Sequence, residues 1–408
     1  MTDNIFSLEV LRAKKGDCLL LHYGTSDDPA LALIDGGPGG VYKPILKPRL
    51  EALRDERGLD ESQSLPVDLC MLSHIDDDHV VGLVGLTKEL VDADEDNKPK
   101  LVQILDLWHN SFDDIVDNDA AELAGAVEAR FGPASLSGDL PPDAAANVDS
   151  VMVLAGIPRG RRLRDDAKKL GIERNLETEG ALVMASAESE PIDMGDGLTF
   201  TVVGPMLDEV KELQREHAKW VADHPDEVRR SADGLASYVD DSVPNLSSIV
   251  VLAEAGDPDR KTILFTGDAR GDKILQGLEL VGLVEEGGSL HVDVLKCPHH
   301  GSIANVEQDF FERITADHYV FSGNGEHGNP DRETLELLIA ARGDDDYTIH
   351  LTYPLDEMDV ERKKHWESHQ DEPWSDTTHS LAALLTDNDN VVIVEEGVPH
   401  TIDLLGER

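Results

Sequence analysis

The stretch "SHIDDDHVVG", from Ser73 to Gly82, places two histidines and three aspartates within six consecutive positions. The residues before it, "VDLCML", are apolar enough for a buried strand, and "HVVGLVGLTKELV" has the spacing of a helix. We therefore predict a strand that ends at His74 and a helix that begins at His79, with the polar side chains between them directed into one cleft. The cleft would contain two imidazoles and up to three carboxylates. The carboxylates together carry more negative charge than a buried site holds without a cation.

The composition offers a different interpretation of the same stretch, as a solvated acidic turn. Among 408 residues, 83 are Asp or Glu and 36 are Lys or Arg, which gives a formal net charge of −47. Such a chain has no basic surface that would release phosphate counterions, and this argues against broad, non-specific binding to nucleic acid. The choice between a turn and a metal site therefore depends on the other strand ends.

The length of the chain allows one large α/β domain or two to three average domains. Strands and helices alternate along the core, and each strand ends in polar residues, which is typical of a layered α/β fold with its site at the strand ends. The sequence contains no repeat of fixed period and no long low-complexity linker. We therefore predict a single domain over residues 1–408, with insertions at about 110–190 and 207–243.

Several features predict a cytoplasmic location without a membrane span. No apolar run approaches the roughly 18 residues that a spanning helix needs. The start of the sequence, "MTDNIFSLEV", lacks the basic and apolar regions of a signal peptide. The three cysteines, Cys18, Cys70 and Cys297, are isolated in the sequence and are typical of small buried hydrophobes in a reducing compartment.

Three further strand ends carry residues that bind metals. "FTGDA" places Asp268 after a β-rich run, "LKCPHHGS" places His299 and His300 after another, and "LWHN" places His109 after a third. A single histidine of this kind is more often an ordinary core or surface residue, but here four separate strands end in His or Asp. Imidazole and carboxylate ligands together suit Zn, Mn or Fe. The pattern therefore favours the metal site over the acidic turn.

The order of these motifs resembles that of the metallo-β-lactamase fold hydrolases. It is a strand followed by "DGG", then "SHIDDDHVVG", a lone His, "TGD" and "PHHGS". The chain is most similar to the branch with the soluble hydrolase domain of bacterial DNA-uptake (competence) channel proteins. That branch shares the Gly16–Asp17 pair after the first strand, a strand like "NLSSIVVL" and a Gly-rich loop after "HHGS". The resemblance covers the core without the insertions, and implies an α/β, four-layered αββα sandwich with helical insertions.

The resemblance also implies two divalent metal ions, with Zn as the first expectation. Its implied ligands in this chain are His74, Asp76, Asp78, His79, His109, Asp268 and His300. Of these, His74, Asp76 and His109 would hold the first ion, and Asp78 and His79 the second. The aspartate of "TGD" would bridge the ions, and the second histidine of "PHHGS" would be the last ligand.

Further residues are assigned to the surroundings of these ligands. The resemblance implies that Asp35 supports the ligands without binding a metal itself, and that His299 contacts a ligand or the substrate. Lys296, directly before "CPHHG", is a candidate for a contact near the metals. Asn329 occupies a position where this branch often has a histidine. His327, two positions earlier, is interpreted either as its replacement, a leaving-group acid or phosphate contact, or as an ordinary loop residue.

The chain departs from the family pattern at Asp76, where a histidine is usual. The extra carboxylate makes the ligands of the first metal position more suited to hard metal ions, so that Mn or Fe becomes as plausible there as Zn. A carboxylate at this position also occurs in related flavin-linked di-iron oxidoreductases. The sequence after His300 has no Gly-rich phosphate loop for a flavin, which argues against that redox chemistry.

The implied activity is hydrolysis by a hydroxide that two metal ions share. Asp78 or Asp268 would take the proton of the nucleophile, and His327 would serve the leaving group. The branch favours phosphodiester bonds, which predicts a nuclease or a nucleotide phosphodiesterase. The strong acidity favours a phosphate-containing small molecule or a short single-stranded nucleic acid as the substrate.

Two other functions and one basic segment stay open at this point. The same ligands would serve a hydrolase of carbonyl substrates, such as a lactone or a thioester. A non-catalytic member would instead bind a protein partner through its acidic insertions. The basic segment is interpreted either as a phosphate clamp or as a solvated helix face, and it comprises Arg159, Arg161, Arg162, Arg164, Lys168 and Lys169.

Overall fold

The computed structural model describes the chain in five ranges: residues 3–111, 148–211, 247–256, 259–386 and 388–406. Sheets and helices combine in these ranges, and the predicted α/β class is confirmed. The chain divides into two compact units. Unit 1 comprises Met1–Ile34, Ala185–Gly204 and Ile249–Arg408, and unit 2 comprises Asp35–Met184 and Pro205–Ser248.

The strands of unit 1, numbered along the whole chain, form two groups. The first group is β1 (Asn4–Val10), β2 (Leu19–Thr25), β3 (Pro29–Ile34) and β15 (Thr401–Asp403). All of its pairs are antiparallel, in the order β15-β1-β2-β3. Val10 lies opposite Leu19, so that the predicted turn at Gly16–Asp17 connects β1 to β2.

The second group of unit 1 is an eight-stranded mixed sheet. Its strands are β7 (Ile192–Gly195), β8 (Leu198–Gly204), β9 (Val250–Ala255), β10 (Lys261–Phe265), β11 (Leu290–Lys296), β12 (Ile314–Phe321), β13 (Thr348–Leu351) and β14 (Val391–Ile393). They lie in the order β14-β13-β12-β11-β10-β9-β8-β7. The pairs from β10 to β14 are parallel, and those from β7 to β10 are antiparallel. Because parallel strands end at one edge of a sheet, the residues that follow β10, β11 and β12 are brought together.

The helices of unit 1 pack on this mixed sheet, and strand and helix residues share one apolar core. They are α4 (Gly271–Leu280), α5 (Gln308–Arg313), α6 (Arg332–Arg342), α7 (Leu355–His369), α8 (Asp376–His379) and α9 (Leu381–Leu385). Leu264 and Leu295 from neighbouring strands share one buried cluster with Phe310 and Phe311 of α5. Burial of this apolar surface is the main term that holds strands and helices together.

Unit 2 is built on three parallel strands and the helices beside them. The strands are β4 (Leu65–Met71), β5 (Val102–Trp108) and β6 (Glu173–Arg174), in the order β4-β5-β6. The helices are α1 (Lys47–Glu56), preceded by a π-helical turn at Tyr42–Leu46, α2 (Asp77–Glu95) and α3 (Val148–Leu170).

The transition from β4 to α2 differs from the sequence prediction. The strand ends at Met71 rather than at His74, and the helix begins at Asp77 rather than at His79. Asp76 has the extended backbone of a residue that precedes a helix, so that Asp77 and Asp78 form the first turn. Carboxylates are favourable there because the helix dipole places positive charge at that end. The strand–turn–helix arrangement itself is confirmed.

The predicted insertions are only partly described. Residues 112–147 of the first and 212–243 of the second lie outside the described residues, and the described part of the first contains α3. The single-domain assignment stays a prediction. In the described residues, no helix is both long and apolar enough to cross a membrane.

Candidate functional site

Unit 1 carries a buried group of acidic and histidine side chains. Asp17, Asp268 and His300 each offer one ligand atom, and these atoms lie within 4.8 Å of one another. Asp268 Oδ1 is 3.6 Å from His300 Nε2. All three side chains are at most 2% exposed, so their charge is shielded from water. Carboxylates and imidazoles are donors that Zn, Mn or Fe accepts, and the group could therefore hold a metal ion.

The backbone after β10 explains why the motif "TGD" places Asp268 at the strand end. Gly267 has a φ of +49°, in the left-handed region that favours glycine. Its carbonyl oxygen accepts a hydrogen bond from the His299 amide at 3.1 Å. The Thr266 hydroxyl donates to the Lys296 carbonyl oxygen at 2.7 Å. These bonds tie the ends of β10 and β11 together and fix the carboxylate.

His300 is held from behind by a hydroxyl and a carboxylate. Its Nδ1 lies 3.2 Å from Ser322 Oγ and 3.4 Å from Asp17 Oδ1. The Ser322 hydroxyl in turn donates to Asp17. Since Nδ1 is engaged in this way, Nε2 is the nitrogen that faces Asp268. Metal-binding histidines are commonly oriented by such a partner on the second nitrogen.

His299 occupies a different environment from its neighbour. Its Nδ1 is 2.7 Å from Asn305 Oδ1, and its Nε2 is 3.6 Å from Asp268 Oδ2. The His299 side chain is 30% exposed, whereas that of His300 is 2% exposed. The geometry therefore favours His300 as the ligand and His299 as a contact of Asp268 that faces the solvent. Both residues have positive φ angles, a strained backbone that is often found at functional sites.

Lys296 lies behind the group of unit 1 rather than on its surface. The side chain is 1% exposed, and Nζ is 2.6 Å from Asp17 Oδ2. Burial opposes the charged form, but the negative charges of Asp17 and Asp268 raise the pKa of Lys296 above its usual value. The ammonium therefore stays protonated and neutralises Asp17. Of the two predicted roles, support of the ligands fits this burial better than contact with a substrate.

Unit 2 contains a second histidine that is oriented in the same way. His79 Nδ1 is 2.8 Å from Asp35 Oδ2. The Ser73 hydroxyl donates to the same oxygen at 2.7 Å, and the Ser73 amide donates to Asp35 Oδ1 at 2.8 Å. Nε2 of His79 is thus the nitrogen that could bind a metal ion. Asp35 thus contacts His79, one of the predicted ligands.

Close backbone contacts explain the glycines of "DGG" and "HVVG". The Gly36 amide donates to the His79 carbonyl oxygen at 2.8 Å, and the Gly82 amide donates to the Gly37 carbonyl oxygen at 2.9 Å. A Cβ atom on Gly82 would overlap the carbonyl oxygen of Gly36. The glycines let α2 approach the loop after β3, which sets the distance between Asp35 and His79.

The other ligand candidates of "SHIDDDH" are neighbours in unit 2. The His74 and His79 rings lie 4.1 Å apart between centroids. His74 Nε2 is 3.6 Å from Asp76 Oδ2, and His79 Nε2 is 4.0 Å from Asp78 Oδ1. His74, Asp78 and His79 are buried. The structure therefore brings these four predicted ligands together at the start of α2.

His109 is fixed at the end of β5 by contacts from two other segments. Its amide donates to Asn175 Oδ1 at 2.8 Å, and its Nε2 lies 3.2 Å from the Gly160 carbonyl oxygen. The residue is fully buried. With Nε2 facing α3, a metal would have to bind at Nδ1. The ligand role of His109 stays a prediction.

The basic segment is divided between two environments. Arg159 is 3% exposed and its guanidinium contacts the Asp77 carboxylate, which ties α3 to the start of α2. Burial lowers the pKa of Arg159 to about 10. Arg164 and Lys168 instead line an open cavity of about 650 Å³, together with Arg174. Asp165 and Glu173 also line this cavity, so its basic side chains lie beside carboxylates. Arg159 thus supports the fold, and Arg164 and Lys168 face the cavity.

His327 and Asn329 lie on one loop of unit 1. His327 Nε2 is 2.8 Å from Lys15 Nζ, and both side chains are half-buried. Asn329 Nδ2 donates to the His299 carbonyl oxygen at 3.4 Å. His327 also has a positive φ, of +59°. The loop is therefore connected to the histidines that follow β11.

The sequence pattern alone does not indicate Asp17, Lys15 or Ser322 as site residues. Asp17 was recognised only as part of a shared Gly-Asp turn, and this turn was the available signal. Ser322 follows β12, as Asp268 follows β10 and His300 follows β11. The rule that parallel strands end together would have pointed to Ser322 once the strand order was known.

Comparison with known proteins identifies no family for the chain. No family model matches it. Similarity exists to microtubule-associated protein 1A of Rattus norvegicus, 29% identical over 122 residues, and of Mus musculus, 28% identical over 115 residues. These matches cover 29% and 28% of this chain. In both cases they span 4% of the length of the relative.

Proposed function

We propose that this chain is a metal-dependent hydrolase with the four-layered metallo-β-lactamase architecture. The observation that carries the proposal is the buried group of Asp17, Asp268 and His300 in unit 1. A buried pair of carboxylates is costly unless a cation balances its charge. Lys296 supplies one positive charge beside Asp17, and Asp268 is the carboxylate that a metal ion would complement.

The chemistry of the donors supports the two divalent ions that the motif order implies. The candidates in both units are imidazoles and carboxylates, a set that suits Zn first and Mn or Fe as well. When bound, such ions would lower the pKa of water, so that hydroxide forms near neutral pH. In both His79 and His300, an aspartate and a serine contact Nδ1. Nε2 is then the nitrogen that would bind a metal ion.

The roles of the protein groups follow from their positions. Asp78 and Asp268 are the carboxylates that would accept the proton of the attacking water, since both are buried beside a histidine nitrogen. His327 is half-buried on a loop that contacts His299, and we assign it to contact with the phosphoryl group of the substrate. Asp35 and Lys296 do not act on the substrate, because they hold ligands from the buried side.

A phosphodiester is the proposed substrate, in a short single strand or a small nucleotide. The formal net charge of −47 opposes binding of a long nucleic acid, whereas a short substrate needs few phosphate contacts.

We propose a cytoplasmic location. The three buried cysteines are not paired with one another, which fits a reducing compartment.

Hydrolysis assays with matched variants test this proposal. Bis-p-nitrophenyl phosphate and a panel of lactones are offered to the protein and to Asp268→Ala. We expect diester hydrolysis that falls at least about 100-fold in Asp268→Ala. The control is Asp344→Ala, which removes an exposed aspartate of unit 1 and keeps full activity. Hydrolysis of lactones alone would support the carbonyl alternative, and unchanged activity in Asp268→Ala would refute the proposal.

A further inference from the structure

We propose that Lys15 and His327 together form an anion subsite that takes a non-bridging phosphoryl oxygen of the substrate. This proposal rests on the proposed function insofar as the bound anion belongs to a phosphodiester. The two nitrogen atoms, Lys15 Nζ and His327 Nε2, are 2.8 Å apart. A lysine ammonium at that distance donates a hydrogen bond to an imidazole nitrogen, and an anionic oxygen accepts hydrogen bonds from an ammonium or from an imidazole N–H.

The subsite belongs to the same unit as the buried acidic group and connects to it along two paths. Lys15 precedes Asp17 by two residues in the turn between β1 and β2. His327 lies on the loop whose Asn329 donates to the His299 carbonyl oxygen, and His299 contacts Asp268. The subsite thus lies on two loops, of which one carries Asp17 and the other contacts His299.

Both loops of the subsite are held in place by the surrounding structure. The Tyr353 hydroxyl accepts a hydrogen bond from the Lys14 amide at 2.8 Å. The Arg12 guanidinium lies 4.3 Å from the centre of the Tyr353 ring. On the other side, a Cβ atom on Gly325 would overlap the Met358 carbonyl oxygen, so the loop packs closely on α7. Donors fixed in this way bind an anion at a lower entropic cost.

The charge of the subsite determines which substrates it favours. A phosphodiester keeps a negative oxygen at neutral pH, and a lysine ammonium interacts strongly with such an oxygen. The carbonyl oxygen of a lactone or thioester is neutral and gains much less. In a chain with a net charge of −47, a local cation is also needed to offset repulsion of an anionic substrate. Lys15 and His327 thus select phosphodiesters over carbonyl substrates.

Titration with inorganic phosphate tests the subsite without requiring hydrolysis. Purified full-length protein, Lys15→Gln, His327→Gln and the control Lys363→Gln are titrated by calorimetry. Lys363 is exposed on α7, and its substitution removes the same charge from the same unit. We expect phosphate to bind about ten-fold more weakly to Lys15→Gln and to His327→Gln, and equally to Lys363→Gln. Lys15→Arg, which keeps the charge, should restore most of the affinity.

The outcomes separate the subsite from the proposed function. If Lys15→Gln binds phosphate as tightly as the unmodified protein, or if the protein binds no phosphate, the subsite is refuted even when diesters are hydrolysed. If phosphate binding depends on both residues but no ester is hydrolysed, the subsite stands and the hydrolase proposal fails. In an active protein, the ratio of kcat/KM for the diester to kcat/KM for p-nitrophenyl acetate should fall in Lys15→Gln.

Discussion

Two histidines of this protein are oriented by the same combination of side chains. Each set consists of an imidazole, a carboxylate and a hydroxyl: His79, Asp35 and Ser73 in unit 2, and His300, Asp17 and Ser322 in unit 1. In both sets the carboxylate and the hydroxyl lie at Nδ1, so that Nε2 is the nitrogen that could bind a metal ion. A difference is that Asp17 also contacts the ammonium of Lys296.

The substitution Asp35→Asn tests whether this orientation matters for metal binding. The amide keeps the shape of the side chain but is a weaker acceptor for the His79 Nδ1 proton. We expect the affinity for the metal to fall about 10- to 100-fold, as measured by competition with a chelator. Asp344→Asn, on an exposed loop, is the control and should not change the affinity. Equal affinities in both variants would contradict the orienting role of Asp35.

The substitution Lys296→Met tests the buried ion pair with Asp17. It leaves a carboxylate that is 2% exposed without its charge partner. We expect the free energy of unfolding to fall by about 3 to 5 kcal/mol in urea denaturation. Addition of Asp17→Leu to Lys296→Met should recover part of this loss, because the unpaired charge is then removed. A loss below about 1 kcal/mol in the single variant would show that the pair is not needed.

The contact between α2 and the loop after β3 depends on Gly82. Replacing a helical glycine by alanine usually stabilises a helix by about 1 kcal/mol. Here the added Cβ meets the Gly36 carbonyl oxygen, and we expect Gly82→Ala to destabilise the protein by about 1 to 3 kcal/mol. Lys88→Ala, on the exposed side of the same helix, should stay within about 0.5 kcal/mol. Thermal or urea unfolding measures both, and stabilisation by Gly82→Ala would contradict the close packing.

A chain of three histidines in unit 1 predicts sensitivity to acid. His350 Nε2 is 3.0 Å from His318 Nδ1, and His350 Nδ1 is 2.9 Å from His400 Nε2. Burial, with the neighbouring His400 and His318, lowers the pKa of His350 to about 3. The unfolded chain therefore binds more protons than the folded protein as the pH falls below about 6.5. Stability contributed by neutral His350 is present above that pH and is lost towards the lower pKa.

Urea denaturation at several pH values checks this prediction. Between about pH 7 and pH 5, the contribution of His350 alone amounts to a loss of up to about 2 kcal/mol. We expect His350→Gln to reduce the loss by up to that amount, and His369→Gln, which changes an exposed histidine, to leave it as it is. An identical pH dependence in His350→Gln and the unmodified protein would contradict the assignment.

The sequence allowed the prediction of elements with regular periodicity and of side chains at strand ends. The hairpin of β1 and β2, the strand β4 and the helix α2 are confirmed because their apolar spacing is clear. The position of Asp17 beside Asp268 and His300 could not be predicted from the sequence, because it depends on where the turn after β1 lies relative to β10 and β11. The start of α2 was placed two residues late, since consecutive aspartates fit a loop or a first helical turn equally well.

The strong acidity of the protein predicts that salt stabilises it. With a net charge of −47, the folded chain contains repulsion between exposed carboxylates that counterions screen. We expect the thermal midpoint to rise when NaCl increases from about 0.1 M to about 1 M, where the screening length falls from about 10 Å to about 3 Å. KCl at the same concentrations is the control for a specific sodium effect. A midpoint that falls with both salts would contradict the account of the acidity.

The metal content of the purified protein is the most direct test of the metal site. Elemental analysis by mass spectrometry should find about two transition-metal ions per chain. In Asp268→Ala the content should fall by at least one ion, and in Asp344→Ala it should be unchanged, since that aspartate is exposed. Protein that contains no transition metal and takes up none after dialysis against Zn, Mn or Fe would contradict the proposed hydrolase.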